Sequence, residues 1–401
     1  MQKKSALIAI FLLILLYPQC SLKKSLRFEP ETEGMSSARL QRLDGIIEAA
    51  IENHDFPGAV ILVGRRERIV FHKAYGESQR IPEHHPMKKD MIFDLASLTK
   101  PVATATSIML LLEQGKLRLR DKVKEYVPEF ETYLDENDEP GDDACILHLL
   151  THTSGLPPYT EEEKIEEKFG DSCKTEELVN HIARLKKTNP PGKEFHYSCL
   201  GFITLAHIIK EITGQSVSEF AQENIFQPLG MKDTFFNPPS EYIDRYVSTE
   251  VINSIPLKGV VHDPLARLQG GISGNAGLFS TAGDLAVFAR MLLNKGKYKN
   301  TRILSPLAVE RMTELCREVS FSGRGLGWDL DSPYSSNGGD LFGPDSFGHT
   351  GYTGTSLWID PETKTFVIFL TNRVHPEDKG TVIAIRSKVA NIVAASILKK
   401  Q

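Results

Sequence analysis

Two pairs of short β-rich runs stand at opposite ends of this chain, and no other feature constrains its fold as much. Gly58 to Val63 and Arg68 to Tyr75 are rich in Val, Ile, Phe and Tyr, with Gly64-Arg65-Arg66-Glu67 between them, the pattern of a hairpin. Far along the chain, Ser356 to Asp360 and Thr365 to Thr371 repeat it around a turn at Pro361-Glu362-Thr363-Lys364. Each pair has a helix beside it. One is predicted over Ser36 to Asn53, where Leu40, Leu43, Ile46, Ile47 and Ala50 recur at spacings of three and four after a Ser36 or Ser37 cap, and the other near Thr381 to Lys399. An isolated hairpin cannot bury its faces or pair its edges. The two pairs are therefore expected to join in one antiparallel sheet closed by both chain ends. Between them the pattern is mostly helical, with Ser97 to Gln114 stopped by Gly115, Leu200 to Ile212 stopped by Gly214, and a later helix at Ala282 to Leu293. The expected fold is α+β: an antiparallel sheet flanked by helices, built from both ends, with an inserted mainly helical subdomain over about 97–265.

The first twenty residues read as an address. Lys3 and Lys4 precede an apolar run, Ala6 to Leu16, which as a helix would extend only ~16 Å against a hydrocarbon core of ~30 Å. That is the pattern of a secretory signal segment. Residues 21–33 then read as a polar linker and 34–401 as the folded domain. Cys20 stands directly after the apolar run, so two expectations stay open: a lipid on Cys20, or an export signal in which Cys20 is incidental. Either way the chain is expected outside the cytoplasm, periplasmic or membrane-anchored, and its contact with a membrane is confined to this segment. The net charge of -5 and the lack of a dense Lys/Arg run leave little to hold a phosphate backbone, so no nucleic-acid partner is expected. Five cysteines, Cys20, Cys145, Cys173, Cys199 and Cys316, are too few for a disulfide framework and include no C-x-x-C pair, so no metal or other cofactor is expected. The acidic stretch Glu125 to Asp143 and the run Glu161 to Lys168 read as solvated faces.

Chemistry enters at Ser97-Leu98-Thr99-Lys100, an S-x-x-K tetrad whose spacing puts both side chains on one face of a helical turn. The tetrad is weak alone, since Ser21 to Lys24 and Ser396 to Lys399 repeat it. Position separates them: Ser97 follows Met91-Ile92-Phe93 and opens a long apolar helix, where the helix N-terminus favours a developing oxyanion. Pro101 cannot donate to the Ser97 carbonyl, so the first turn is expected to be irregular. A serine hydroxyl needs a group to take its proton, and Lys100 is expected to do so with its proton affinity pulled down by burial or a neighbouring cation. A second basic group is expected with it. Tyr197-Ser198-Cys199 supplies a phenol after the loop Asn189-Pro190-Pro191-Gly192-Lys193, and Ser273-Gly274-Asn275 is an alternative for the same place. His349-Thr350-Gly351-Tyr352 follows in a glycine-rich approach to the strand at Ser356, whereas His152 and His262 read as loop structure.

S-x-x-K, then Y-S-x, then H-T-G, in that order, resemble the serine hydrolases of the penicillin-binding protein and class C β-lactamase superfamily. Leu149-Leu150-Thr151-His152-Thr153-Ser154-Gly155-Leu156-Pro157 and the run Gly270 to Thr281 are also similar to that family's internal signatures, so the likeness extends over about Gly34 to Lys400. The resemblance implies a β-lactamase/transpeptidase-like fold. It implies Ser97 as acylated nucleophile, Lys100 as its activating partner and Tyr197 as proton shuttle. It places His349, Thr350 and Gly351 on a strand flanking the substrate, and the backbone N–H groups of Ser97 and Tyr352 in an oxyanion hole.

Two departures matter. Cys199 replaces an amide that can contact both Lys100 and a substrate carbonyl, and His349 stands where lactamases and peptidases usually carry Lys. An imidazole with a proton affinity near 6.5 would gain charge below that pH, so an anionic substrate would be held more firmly there and β-lactam turnover would be poor. The segment Val261-His262-Asp263-Pro264 and the run Gly348 to Pro361 look most like a branch that includes amidases of peptidoglycan recycling. The implied substrate is a muropeptide. A small-ester esterase, a β-lactamase, a D,D-peptidase, and a non-catalytic penicillin-sensing or wall-binding module are the alternatives.

Overall fold

The computed structural model describes residues 29–160, 162–170 and 172–399; the expected signal segment, Cys20 and most of the expected linker lie outside them. Six strands, β1 (Gly58–Arg65), β2 (Arg68–Gln79), β3 (His85–Pro86), β4 (Phe347–Thr350), β5 (Ser356–Asp360) and β6 (Thr365–Thr371), form one antiparallel sheet in the order β4-β5-β6-β1-β2-β3. The junction of the two chain ends is β1 with β6, in register from Ala59 opposite Thr371 to Arg65 opposite Thr365. Both strands are buried along their whole length, which explains their unbroken apolar character.

The pleat sorts the side chains between two cores. Ala59, Ile61, Val63, Val367 and Phe369 face one side, where α1 (Arg42–Glu52) contributes Leu43 and Ile47 and the C-terminal helix, Ile383–Ala395, contributes Val389 and Val393. Val60, Leu62, Ile368 and Leu370 face the other, against a core that takes in the helical middle of the chain. Three helices of that side matter below: α2 (Thr106–Glu113), α3 (Cys199–Thr213) and α4 (Ala282–Leu293); the C-terminal helix is then α5. Arg65, fully buried, ties the two ends together: its guanidinium donates to the carbonyls of Glu33 (2.7 Å), Gly34 (3.1 Å), Thr363 (3.2 Å) and Lys399. Pro30–Glu33, the last part of the polar segment, is a 3₁₀ turn within this knot.

The antiparallel sheet and α4 fall where the pattern places them, and three details differ. The hairpin is tighter than expected: the strands run on through Gly64 and Arg65, the turn is Arg66-Glu67 with Arg66 at φ 53°, and the register shifts between Val63 and Gly64. The first helix breaks at Gln41 into Ser37–Leu40 and α1, with Ser36 Oγ accepting from Arg39 N at 3.3 Å. The long helix expected from Ser97 is three pieces: a 3₁₀ turn at Ala96–Leu98, a π-helical stretch at Lys100–Ala105, and α2. Pro101 offers no N–H to the Ser97 carbonyl, which fits the irregular first turn, and further on the Thr106 hydroxyl donates to the Pro101 carbonyl at 2.8 Å. Cys145, Cys173 and Cys316 are buried, Cys199 is partly exposed, and all four are free thiols.

Gly64 lies directly beneath the Phe366 ring, so a Cβ there would stand 2.0 Å from Cζ. Gly64→Ala is expected to destabilise the protein by about 1–3 kcal/mol through overpacking, with partial recovery on adding Phe366→Leu. Equilibrium denaturant unfolding checks this; an unchanged midpoint in the single variant would mean that the ring yields freely.

Candidate active site

A short strand, Phe93–Asp94, pairs with Leu278–Ser280 and leads into the turn that carries Ser97. The turn is strained: Ala96 adopts φ 46°, a conformation that costs a non-glycine residue about 1–3 kcal/mol. Surrounding groups hold it there. Asp94, buried, accepts from Ala96 N (2.9 Å) and from His262 N (2.7 Å); burial raises the proton affinity of its carboxyl while these two N–H groups oppose that rise. From the loop between β4 and β5, the Thr353 hydroxyl donates to the Asp94 carbonyl (2.8 Å) and the Thr355 hydroxyl to that of Leu95 (3.0 Å). Gly351 must be glycine here, because a Cβ would lie 2.1 Å from Thr355 Oγ1 and 2.4 Å from the Leu95 carbonyl oxygen.

Lys100 is fully buried one turn on from Ser97. Its Nζ donates to Ser97 Oγ (2.9 Å), to the Asn275 carbonyl (3.0 Å) and to Cys199 Sγ (3.4 Å). It also lies 5.2 Å from the centre of the Tyr197 ring. Burial alone would pull its proton affinity down, but the acidic neighbours Cys199 and Tyr197 outweigh it and the affinity is raised. This corrects the expectation of a lysine made neutral by burial. Burial also pushes the Tyr197 phenol up, opposed by Lys100 and by a hydrogen bond with Ser97. Tyr197 is held by aromatic contacts: His152 stacks on it at 4.3 Å, and Tyr334 meets it edge-on at 5.6 Å. His152 is thus more than a loop residue. It is buried at φ 58°, and its Nδ1 accepts from Ser198 N at 3.0 Å, which fixes the backbone beside Tyr197.

His349, on β4, is 3% exposed. Its Nδ1 donates to the Thr350 carbonyl at 2.8 Å, and Nε2 has no hydrogen-bond partner among the described residues. Burial, then Arg324 and Lys100, hold its proton affinity well below the ordinary histidine value. The expected charge switch near pH 6.5 is therefore overturned, because a buried ring beside two cations stays neutral. Tyr352 stands at the rim, 57% exposed, with its hydroxyl on Asp378 and the Arg373 guanidinium 4.5 Å from its ring.

Ser97, Tyr197, His349, Thr350, Gly351 and Tyr352 line one cleft of about 470 Å³. Cys199 is not among its lining residues; its thiol is turned to Lys100. Neither does Ser273 reach the cleft: its hydroxyl donates to Asn275 Oδ1 (2.8 Å), and the S-x-N segment meets Lys100 through a backbone carbonyl. Sequence reasoning missed Arg324, Arg373 and Arg386, which also line this cleft. None carries a spacing signal, since they come from a loop, the end of β6 and helix α5. A larger cavity of about 1330 Å³ lies between α4 and the Leu330 to Phe347 segment, and neither Ser97 nor Tyr197 lines it.

This geometry has known counterparts. The family model described as Beta-lactamase matches residues 43–391. The N-acetylmuramyl-L-alanine amidase of Bacillus subtilis (strain 168) is 31% identical over 394 residues, covering 88% of this chain and 86% of that protein. A Salmonella agona protein with a provisional D-alanyl-D-alanine carboxypeptidase name is 30% identical over 372 residues, 86% of this chain and 85% of its own. Among solved structures, EstCE1, a hydrolase with promiscuous acyltransferase activity, superposes with a TM-score of 0.73 at 23% identity, covering 89% of this chain and 99% of that one. A class C β-lactamase from Rhodobacter sphaeroides gives 0.67 at 22%, covering 90% and 100%, so both share the fold. With the family model spanning most of its length and relatives at this identity, the chain belongs to the Beta-lactamase family and is a hydrolase of the serine type.

Proposed function

We propose that Ser97 forms an acyl-enzyme with the carbonyl of an amide, and that this amide joins an N-acetylmuramyl group to L-alanine in a muropeptide. The observation that carries the reading is the Lys100 Nζ to Ser97 Oγ contact of 2.9 Å, made under the Tyr197 ring at the wall of an open cleft. The substrate rests on the amidase relative at 31% identity. In the reactive form the Lys100–Tyr197 pair is short of one proton. It takes the Ser97 proton as Oγ attacks the carbonyl carbon, while the oxygen gains charge against the backbone N–H groups of Ser97 and Tyr352. The C–N bond then breaks as the pair returns a proton to the leaving nitrogen. Water adds to the acyl carbon by the same exchange, releasing the acid and restoring Ser97. Thr350 and Gly351 border the bound substrate on the β4 side, and Cys199 acts on it only through Lys100. We take residues 34–401 as the catalytic unit with its helical part over about 97–265, exported by its first twenty residues.

A fluorophosphonate is expected to label Ser97 alone, and Ser97→Ala to abolish labelling and lower kcat by several orders of magnitude. Mass spectrometry of a digested N-acetylmuramyl peptide should show the free peptide beginning at L-alanine. Release of a terminal D-alanine, or turnover confined to small esters or nitrocefin, would overturn the substrate.

Because the reactive form lacks a proton on a pair whose affinities are both raised, kcat/KM should climb with pH between about 6 and 9, close to tenfold per unit on the acid side. His349→Gln should leave the position of that rise unchanged, since a neutral imidazole has no charge to lose. A rise centred near 6.5 in the wild type that disappears in His349→Gln would show the imidazole titrating after all.

A further inference from the structure

The proton relay needs a positive field at Tyr197, and the groups around the ring limit where it originates. Lys100 lies 5.2 Å from its centre, His152 stacks at 4.3 Å, His349 is 6.1 Å away, and the Arg324 guanidinium carbon is at 5.9 Å. Both histidines are neutral, burial being the first cause in each. Cys199 acts on the phenol in the opposite sense, raising its proton affinity, and also touches Lys100. Lys100 itself belongs to the pair that gains and loses the proton. Among the described residues, the cation at the ring that stands outside the exchange is Arg324.

Arg324 is not arranged as a structural ion pair. It is 1% exposed, yet its contact with the Asp329 carboxylate is a single 3.4 Å approach through Nη1, and Asp329 also accepts from Ser332 N at 3.3 Å. Nε and Nη2 have no hydrogen-bond partner among the described residues. A buried guanidinium with two unsatisfied donors is expensive unless its charge is used. Its neighbours in the cleft are Tyr197, His349 and Ser97. Arg386, from α5, lines the same cleft and acts on His349, but it is engaged with the β4–β5 loop: its Nη2 donates to the Gly351 (2.9 Å) and Thr355 (2.8 Å) carbonyls.

We propose that Arg324 is a fixed cation of the active site, a positioning residue that holds the Tyr197–Lys100 pair ready to accept the Ser97 proton. The direction of its action on the three rings is the same: its charge lowers the proton affinities of His152, His349 and Tyr197. The inference rests on Tyr197 serving in the relay, as proposed above.

The test is the second-order rate of fluorophosphonate inactivation of the full chain against pH, a reaction in which the probe carries no carboxylate for an arginine to bind. Arg324→Gln should move the acid-side rise to higher pH by on the order of one unit, so that the variant is about tenfold slower near neutrality and converges on the wild type in alkali. Arg324→Lys should leave the rise within a few tenths of a unit of its wild-type position. Asp329→Asn removes the opposing charge and should move the rise the other way, to lower pH. A loss equal at every pH, or Arg324→Lys behaving as Arg324→Gln, would reduce the residue to a structural role and overturn the proposal. If Arg324→Gln does not fold, the Lys and Asp329→Asn variants decide. Tyr197→Phe separates the two readings: inactivation at the wild-type rate removes the relay itself, whereas a slow Tyr197→Phe beside an unmoved rise in Arg324→Gln removes only the role of Arg324.

Discussion

An ammonium group with no exposure to water must have its three N–H bonds accepted by the protein, and the Lys100 Nζ is such a group. Its acceptors are Ser97 Oγ, Cys199 Sγ and the Asn275 carbonyl, from three segments far apart in the sequence. Satisfying this one charge therefore brings together the Ser97 turn, the start of α3 and the loop before Leu278. The serine hydroxyl is oriented as part of that requirement. A substitution at Lys100 would free the serine and also remove the tie that holds these segments together, so its effects on activity and on stability would be linked.

The sheet supplies the opposing wall. The β4–β5 loop reaches the Ser97 turn through two threonine hydroxyls and a glycine that admits the Leu95 carbonyl, and Arg386 holds the same loop from behind. Because β5 and β6 are pinned to β1 across the junction of the chain ends, the loop inherits the rigidity of the buried centre of the sheet. The strained φ of Ala96 is then sustainable, since Asp94 and the loop contacts leave it no relaxed alternative. The knot at Arg65, distant from the cleft, contributes by keeping both termini on the sheet that carries β4.

How much of this was legible in the sequence follows from the range of each interaction. Strand pairs, α4 and the stop of α3 at Gly214, observed at φ 75°, are local patterns, and they fall where periodicity and turn chemistry place them. Pro101 signalled an irregular turn, but spacing does not reveal the π-helical stretch, or that the Thr106 hydroxyl donates to the Pro101 carbonyl. The order of S-x-x-K, Y-S-x and H-T-G identified which side chains would meet. The charge state of His349 was read from a free imidazole, and that failed because its burial, and the cations Arg324 and Lys100 beside it, come from the packing of segments far apart in the chain. Asp94 stood three residues before Ser97 and went unnoticed for a similar reason: its importance lies in binding His262 N across the fold.

The two departures from the family pattern prove to be connected through Lys100 and Arg324. Position 199 offers sulfur where an amide could accept and donate, and sulfur is a weak acceptor, so the ammonium depends more on the Asn275 carbonyl at 3.0 Å than on the thiol at 3.4 Å. That leaves the S-x-N segment as a structural partner of Lys100, with no need for Ser273 to enter the cleft. Position 349 offers a ring without charge where a permanent cation would add to the field, and the Arg324 guanidinium stands close to both that ring and Tyr197. With Arg324, Lys100 and Arg386 already acting on it, a lysine at 349 would add a further buried positive charge, with Asp329 as a near carboxylate. A neutral histidine is the residue that burial in this setting tolerates.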